Sequence, residues 1–168
     1  MSINEKQEEI ISEFEFLEDW LDKYQQIIDK GMSGKGIEEK YKTDDYLIEG
    51  CQSKVWVFAE YKEGKVYYQG ESNTDIAGGI VVMLVELLSG HTPEEILNTD
   101  LYFIDKIGLK RNITASIRYI FFIFSSPFYC PYFCSLPCLM LCLKNQRAYF
   151  LFPYPYFHHP HNKFLHSN

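Results

Sequence analysis

Five cysteines are the side chains of this chain best suited to covalent chemistry, and their placement separates one from the other four. Cys51 stands alone in Glu49-Gly50-Cys51-Gln52-Ser53, between two runs rich in β-forming residues. A cysteine that acts as a small core hydrophobe usually lies inside an apolar run. Here its neighbours are polar, and Gly50 allows the unusual backbone angles of a loop tip. That context suits a thiolate nucleophile, whose attack on sulfur bound to sulfur depends on ionised fraction, leaving group and access. At a free-cysteine pKa of about 8.5, only a few per cent is ionised at neutral pH. Asp44, Asp45 and Glu49 would disfavour the thiolate if they lie close, and Lys54 is the near cation in sequence. Activation is therefore expected to come from a partner.

Cys130, Cys134, Cys138 and Cys142 recur every four residues. They lack the paired Cys-x-x-Cys spacing of zinc sites, and Pro131 and Pro137 would distort the single helix needed to align them, so no metal is expected there. His158-His159-Pro160-His161 reads as a chain-end cluster without a ligand role. Gly34-Lys35-Gly36 is not a phosphate loop, because the Gly-x-x-x-x-Gly-Lys-Ser/Thr spacing and its hydroxyl are missing.

The elements that must position Cys51 follow from periodicity. Ile10, Phe14, Leu17, Leu21, Tyr24 and Ile28 step by four and three residues, which predicts an amphipathic helix, single or broken near Ser12, stopping at Gly31. Ser2 with Glu5, and Ser12 with Glu15, both have capping-box spacing. Residues 31–45 read as a connection with one helical turn around Ile37 to Tyr41. Three β-like runs follow, Tyr46 to Ile48, Val55 to Tyr61 and Val66 to Gln69. The last two form a hairpin whose turn is Lys62-Glu63-Gly64-Lys65. Asn73 is expected to cap a buried helix from Asp75 to Leu88, ended by Gly90. Thr92-Pro93-Glu94-Glu95 opens a short helix, and residues 101–109 add another turn. The order predicts a single α+β domain with a three-stranded, mainly antiparallel sheet.

Composition divides the chain at Arg111. All 23 Asp and Glu lie between Glu5 and Asp105, against 12 Lys and Arg in residues 1–111, a net −11. The remaining 57 residues carry +4, no carboxylate, 15 of the 28 aromatic residues and six of the seven prolines. An acidic first part without a basic stripe argues against nucleic acid as a partner. MSINEKQEEI contains neither an apolar signal core nor an Arg-rich transit pattern, so a cytoplasmic location is expected. Tyr119 to Leu143 is uncharged over 25 residues, but Pro127, Pro131 and Pro137 interrupt any spanning helix, so a membrane partner is not expected. Residues 112–168 read as an atypical, disordered or frame-altered tail. Nucleotide sequence across codons 108 to 115 separates the two.

Glu49-Gly50-Cys51-Gln52-Ser53-Lys54-Val55-Trp56 resembles the Gly-Cys-Gln-Ser-x-Val-Trp signature of the SufE family of sulfur acceptors, which includes the CsdE-like proteins. Tyr68-Gln69-Gly70-Glu71-Ser72 is similar to the family's glycine-acid-serine approach to its buried helix. Ile76, Gly79, Thr92-Pro93-Glu94-Glu95-Ile96, Asp19-Trp20 and Tyr24 agree as well. The resemblance covers residues 1–111 and implies a SufE/NifU-like domain. It implies that Cys51 accepts persulfide sulfur from a SufS-like cysteine desulfurase and relays it to a SufBCD-like iron-sulfur scaffold. Glu49, Gly50, Gln52 and Ser53 would meet the partner, and no metal or organic cofactor of its own is implied. The family's Ser-Pro-x-Arg-x-x-Gly stretch, which opens a long terminal helix, is absent after Leu109, so the domain reads as incomplete at its C-terminal end. Two other readings are a non-catalytic binding module of the same fold and a tail-anchored membrane protein.

Overall fold

The computed structural model describes residues 1–48, 53–109 and Phe124. Residues 49–52, and with them Glu49, Gly50, Cys51 and Gln52, lie outside the described residues, as do the four tail cysteines, the histidine cluster and the uncharged run from Tyr119 apart from Phe124. The described elements are α1 (Ile3–Glu15), α2 (Trp20–Ser33), β1 (Val55–Lys62), β2 (Lys65–Ser72), α3 (Asp75–Leu88), α4 (Pro93–Leu97) and α5 (Phe103–Lys106).

The first helical stretch is two helices, and the break lies at Phe16 to Asp19 rather than at Ser12. Ser12 stays inside α1, donating its hydroxyl to the Glu9 carbonyl. Asp19 instead caps α2, accepting from the Leu21 N–H at 3.0 Å. The break resets the helical phase. Ile10 and Phe14 are buried as expected, but Leu21 is 72% exposed and Ile27 takes the core position of α2. The predicted Ser2–Glu5 box at the start of α1 is formed by both of its bonds. Gly31 does not end α2, which continues to Ser33.

Gly31 allows close approach rather than termination. α2 and α3 cross so closely that a methyl on Gly31 would lie 2.8 Å from the Gly79 nitrogen, and one on Gly79 would overlap the Ile27 backbone carbonyl. α3 is apolar almost all round because α2 covers one side and β2 another. Ile80, Val81, Met83, Leu84 and Leu87 are fully buried in that sandwich. Each such side chain contributes about 1.5–3 kcal/mol when removed from water. α1 closes the end of the layer: Lys6 Nζ donates to the carbonyls of Glu86 at 2.9 Å and of Leu87 and Ser89 at 3.4 Å, at the C-terminal end of α3. That end carries the negative pole of the helix, so a cation is favoured there.

β1 and β2 pair antiparallel from Val55↔Ser72 to Lys62↔Lys65. The turn is the expected one: Glu63 and Gly64 both have positive φ, 53° and 81°, as a tight hairpin turn matching the strand twist requires. The first β-like run contributes one bridge, Leu47↔Trp56, rather than a full strand, because Asp44–Tyr46 is taken up in a 3-10 turn. Among the described residues the sheet is thus two strands with a bridge on the outer edge of β1. On the far edge, Val66 N–H donates to the His91 carbonyl at 2.9 Å and Gly90 N–H to the Val66 carbonyl at 2.7 Å. Thr92 and Glu95 form the predicted capping box of α4. The architecture is mixed helix and strand with a small antiparallel sheet, as the element order predicted.

Phe124, the described residue of the tail, belongs to this core. Phe124 is 1% exposed, with its ring 5.2 Å from that of Tyr68 on β2.

Candidate functional site

Ile48 and Val55, which flank the Cys51 segment in sequence, are joined by the Ile48 N–H donating to the Val55 carbonyl at 2.7 Å. Both flanking side chains are buried in the core, Ile48 at 5% and Val55 at 0% exposure. The residues on either side of the Cys51 segment therefore sit on the hydrophobic layer.

On the C-terminal side the chain is held by the junction of β2 and α3. Lys54 N–H donates to Asn73 Oδ1 at 2.8 Å, and Asn73 N–H donates back to the Lys54 carbonyl at 3.0 Å. Thr74 Oγ1 donates to Ser53 Oγ at 2.8 Å, and the Thr74 N–H donates to Ser72 Oγ at 3.3 Å. Asn73 is therefore not the cap of α3. That position is held by Thr74, whose side chain makes no capping bond. Asn and Thr are both good capping residues, and their adjacency leaves the choice ambiguous from sequence. The pairing of Asn73 with Lys54 had no sequence signal, since it joins residues 19 positions apart.

On the N-terminal side the connection from Gly34 to Tyr46 lies across β1 and the end of β2. Tyr41 stacks on Phe58 with centroids 3.7 Å apart, and Tyr46 meets both rings edge-on at 5.3 and 5.6 Å. Such pairs add about 0.5–1.5 kcal/mol beyond area burial. Glu71 accepts from the Ile37 N–H at 3.3 Å and pairs with Lys42 at 2.9 Å. The carboxylates of Glu39 and then Glu71 hold the Lys42 ammonium above its usual range. Gln69 and Glu38 exchange two bonds of 3.2 and 3.3 Å alongside. Glu38 is held below the usual carboxylate range by Lys40 and then Gln69.

Of the expected site residues, Ser53 is the one described: half-buried and tied to Thr74. Asp44 and Asp45, expected to weigh against a thiolate, are exposed, as is Lys54. Among the described residues no three His, Cys, Asp or Glu side chains converge as a metal site. No described helix is long and apolar enough to cross a membrane. The arrangement can present a short segment whose two ends are fixed by different means, aromatic stacking and ion pairing before it, a reciprocal amide pair after it.

The profile of the SufE family, described as the Fe-S metabolism associated domain, matches residues 8–118, reaching past Arg111, where the composition changes. An uncharacterized SufE-like protein of Synechocystis sp. is 33% identical over 107 residues, covering 64% of this chain and 67% of that protein. One of Rhizobium etli is 30% identical over 113 residues, covering 64% and 76%. The Arabidopsis thaliana SufE-like protein 1, chloroplastic/mitochondrial, is 31% identical over 112 residues, 66% of this chain and 30% of that longer protein. The solution structure of a hypothetical protein from Thermus thermophilus shares the fold, with a TM-score of 0.53 over 68% of this chain and 83% of that one, at 19% identity.

Proposed function

Because the chain belongs to the SufE family, whose domain is associated with Fe-S metabolism, we propose that it is a sulfur acceptor working through Cys51. The Cys51 thiolate attacks the terminal sulfur of a persulfide carried by a SufS-like cysteine desulfurase. A new S–S bond forms at Cys51, the bond inside the donor persulfide breaks, and the desulfurase cysteine leaves as a thiolate. Neither oxidant nor reductant is consumed. The resulting Cys51 persulfide is handed by the same exchange to a SufBCD-like iron-sulfur scaffold. Glu49, Gly50, Gln52 and Ser53 meet the partner, and the protein acts as a sulfurtransferase-like accessory in the cytoplasm, without a metal or organic cofactor of its own.

The observation that carries this reading is a Gly-Cys-Gln-Ser segment inside the matched region, hung between two core-anchored residues, Ile48 and Val55. Anchored flanks limit how far a short intervening segment can range, and restricting the range of a nucleophile lowers the orientational cost of transfer. The acidic first part of the chain favours a partner with a basic docking face. The test is peptide-resolved mass spectrometry after incubation with a desulfurase and cysteine. One added sulfur on Cys51, absent in Cys51→Ser, is the expected result. A folded protein that docks the desulfurase yet gains no sulfur at Cys51 would instead be an inert binding module.

A further inference from the structure

We propose that the outward face of α2 is a docking surface for a basic amphipathic helix of another protein. The inference does not depend on Cys51. The apolar periodicity of the sequence runs through Leu21, Tyr24 and Ile28, yet the core takes Ile27 from this helix. α2 therefore carries two apolar faces. One is pressed against α3 through Ile27 and Gly31. The other consists of Leu21, Gln25, Ile28 and Met32, which step by four, three and four residues and so lie within about 60° of one another around the helix axis. Leu21 and Met32, at its two ends, are each 72% exposed, Gln25 is exposed and Ile28 is half-buried. Steps of four and three are the spacing of the seam along which one helix packs on another, and a polar residue inside such a seam fixes the register.

The charges of α2 are sorted around this seam. Asp22 and Asp29 are exposed and border it along one side, where Asp29 accepts from Gln25 Nε2 at 2.8 Å. Along the other side stands Tyr24, whose ring meets that of Trp20 edge-on at 5.0 Å. Both lysines of the helix are engaged elsewhere: Lys23 Nζ donates to the Ile107 carbonyl at 3.5 Å, and Lys30 pairs with Glu13 at 2.8 Å. Glu18, exposed just ahead of the helix, adds a further carboxylate. Large apolar side chains inside a charged rim have the anatomy of a protein interface. Their complement is a helix with apolar residues at the same spacing, flanked by Lys or Arg. A second copy of this chain would set carboxylates against carboxylates, and an anionic lipid or nucleic-acid surface would be repelled in the same way.

The experiment uses the full chain and a synthetic helical peptide about three heptads long, with Leu at its a and d positions and Lys at e and g, titrated by fluorescence anisotropy at physiological salt. The same peptide with Glu in place of Lys, and one of the same composition in scrambled order, are the comparisons. The basic peptide should bind about tenfold more tightly than either. Leu21→Ser combined with Met32→Ser should weaken that binding about tenfold. Asp22→Asn combined with Asp29→Asn should weaken it about threefold and flatten its dependence on salt. If the serine pair does not fold, Gln25→Lys takes its place, since it sets a cation inside the seam against the lysines of the peptide. Tyr67→Ser removes an exposed aromatic ring from β2 and should leave the affinity unchanged. Equal binding of the basic and acidic peptides, or an affinity that the seam substitutions do not lower, overturns the proposal. Self-association of the wild type that the serine pair abolishes, read by sedimentation, overturns it in favour of a second copy. Binding to phosphatidylglycerol vesicles that the serine pair abolishes overturns it in favour of a membrane.

Discussion

The crossing of α2 with α3 and the frame around residues 49–52 hold the chain together by opposite means. At the crossing, backbone meets backbone at Gly31 and Gly79, and the fully buried Ile27, Ile80 and Leu84 belong to the core there. Around the loop, exposed or half-buried groups are joined one at a time: Asn73 to Lys54, Thr74 to Ser53, Glu71 to Lys42. Shape specifies the first region and bond direction the second. Disturbing a close-packed interior is costly, because little can move in to fill the space left behind. A surface hydrogen bond or ion pair is worth about 0–1.5 kcal/mol, because water competes for both groups. The two regions therefore separate stability from presentation. Changes at the crossing should unfold the protein, and changes in the frame should leave it folded with an altered reactive segment.

The largest effect that would break this division comes from the tail. Phe124 lies beyond the stretch that matches the family, yet it is as buried as Phe103 on α5. If it belongs to the packed region, Phe124→Ala should cost about 3–5 kcal/mol, as for an internal phenylalanine. Urea denaturation would read that loss directly. A change below about 1 kcal/mol would show that the tail contributes nothing to the core, and would return the fold to residues before Arg111.

A smaller loss tests the crossing itself. Gly79→Ala gains about 1 kcal/mol of helix propensity, but the added methyl meets the Ile27 backbone, which unlike a side-chain tip cannot rotate away. The net expectation is a destabilisation of about 2 kcal/mol, seen as a lower urea midpoint with the slope unchanged. Gly78→Ala is the internal comparison: its Cβ would meet nothing within 4 Å, so the same substitution one residue away should be neutral or stabilising. Equal outcomes at the two glycines would mean that α2 and α3 do not cross this closely in solution.

The same contrast explains what could be read from the sequence. Local chemistry was legible. The Glu63-Gly64 turn, the Ser2 and Thr92 capping boxes and the apolar run of α3 all depend on residues a few positions apart, and each stands where its pattern put it. The break between α1 and α2 was misplaced because Ser12-x-x-Glu15 and Asp19 offer competing caps, and only packing decides between them. Leu21 was assigned to the core because its phase was counted through that break. The run from Tyr46 to Ile48 has strand composition, but the preceding 3-10 turn leaves it one bridge. The candidate site was half legible. Cys51 could be singled out from its polar neighbours, whereas the bonds of Asn73 to Lys54, Glu71 to Lys42 and Tyr41 to Phe58 join distant segments and could not be read from any one of them.

The smallest expected effect sharpens the comparison at a residue that belongs to both kinds of region. His91 is 7% exposed, yet its Nδ1 lies 3.6 Å from Glu95 Oε2 and its carbonyl accepts from the Val66 N–H. Burial lowers its pKa below the ordinary value, the positive charge of Lys6 lowers it further, and Glu95 opposes both. A depressed folded-state value means that the unfolded chain binds the proton more readily. Stability from this group is therefore fully present above about pH 6.5, and is lost as pH falls through the lower folded value. Glu95 is itself held low by the backbone and then the hydroxyl of Thr92, so it acts in the same direction, but only within the carboxylate range. Urea midpoints measured from pH 7.5 down to 5 should fall for the wild type and fall less for His91→Gln. The tail histidines are common to both proteins and cancel in the difference. Parallel slopes would mean that His91 is open to water and that the seal between β2 and the α3–α4 connection is looser than its hydrogen bonds suggest.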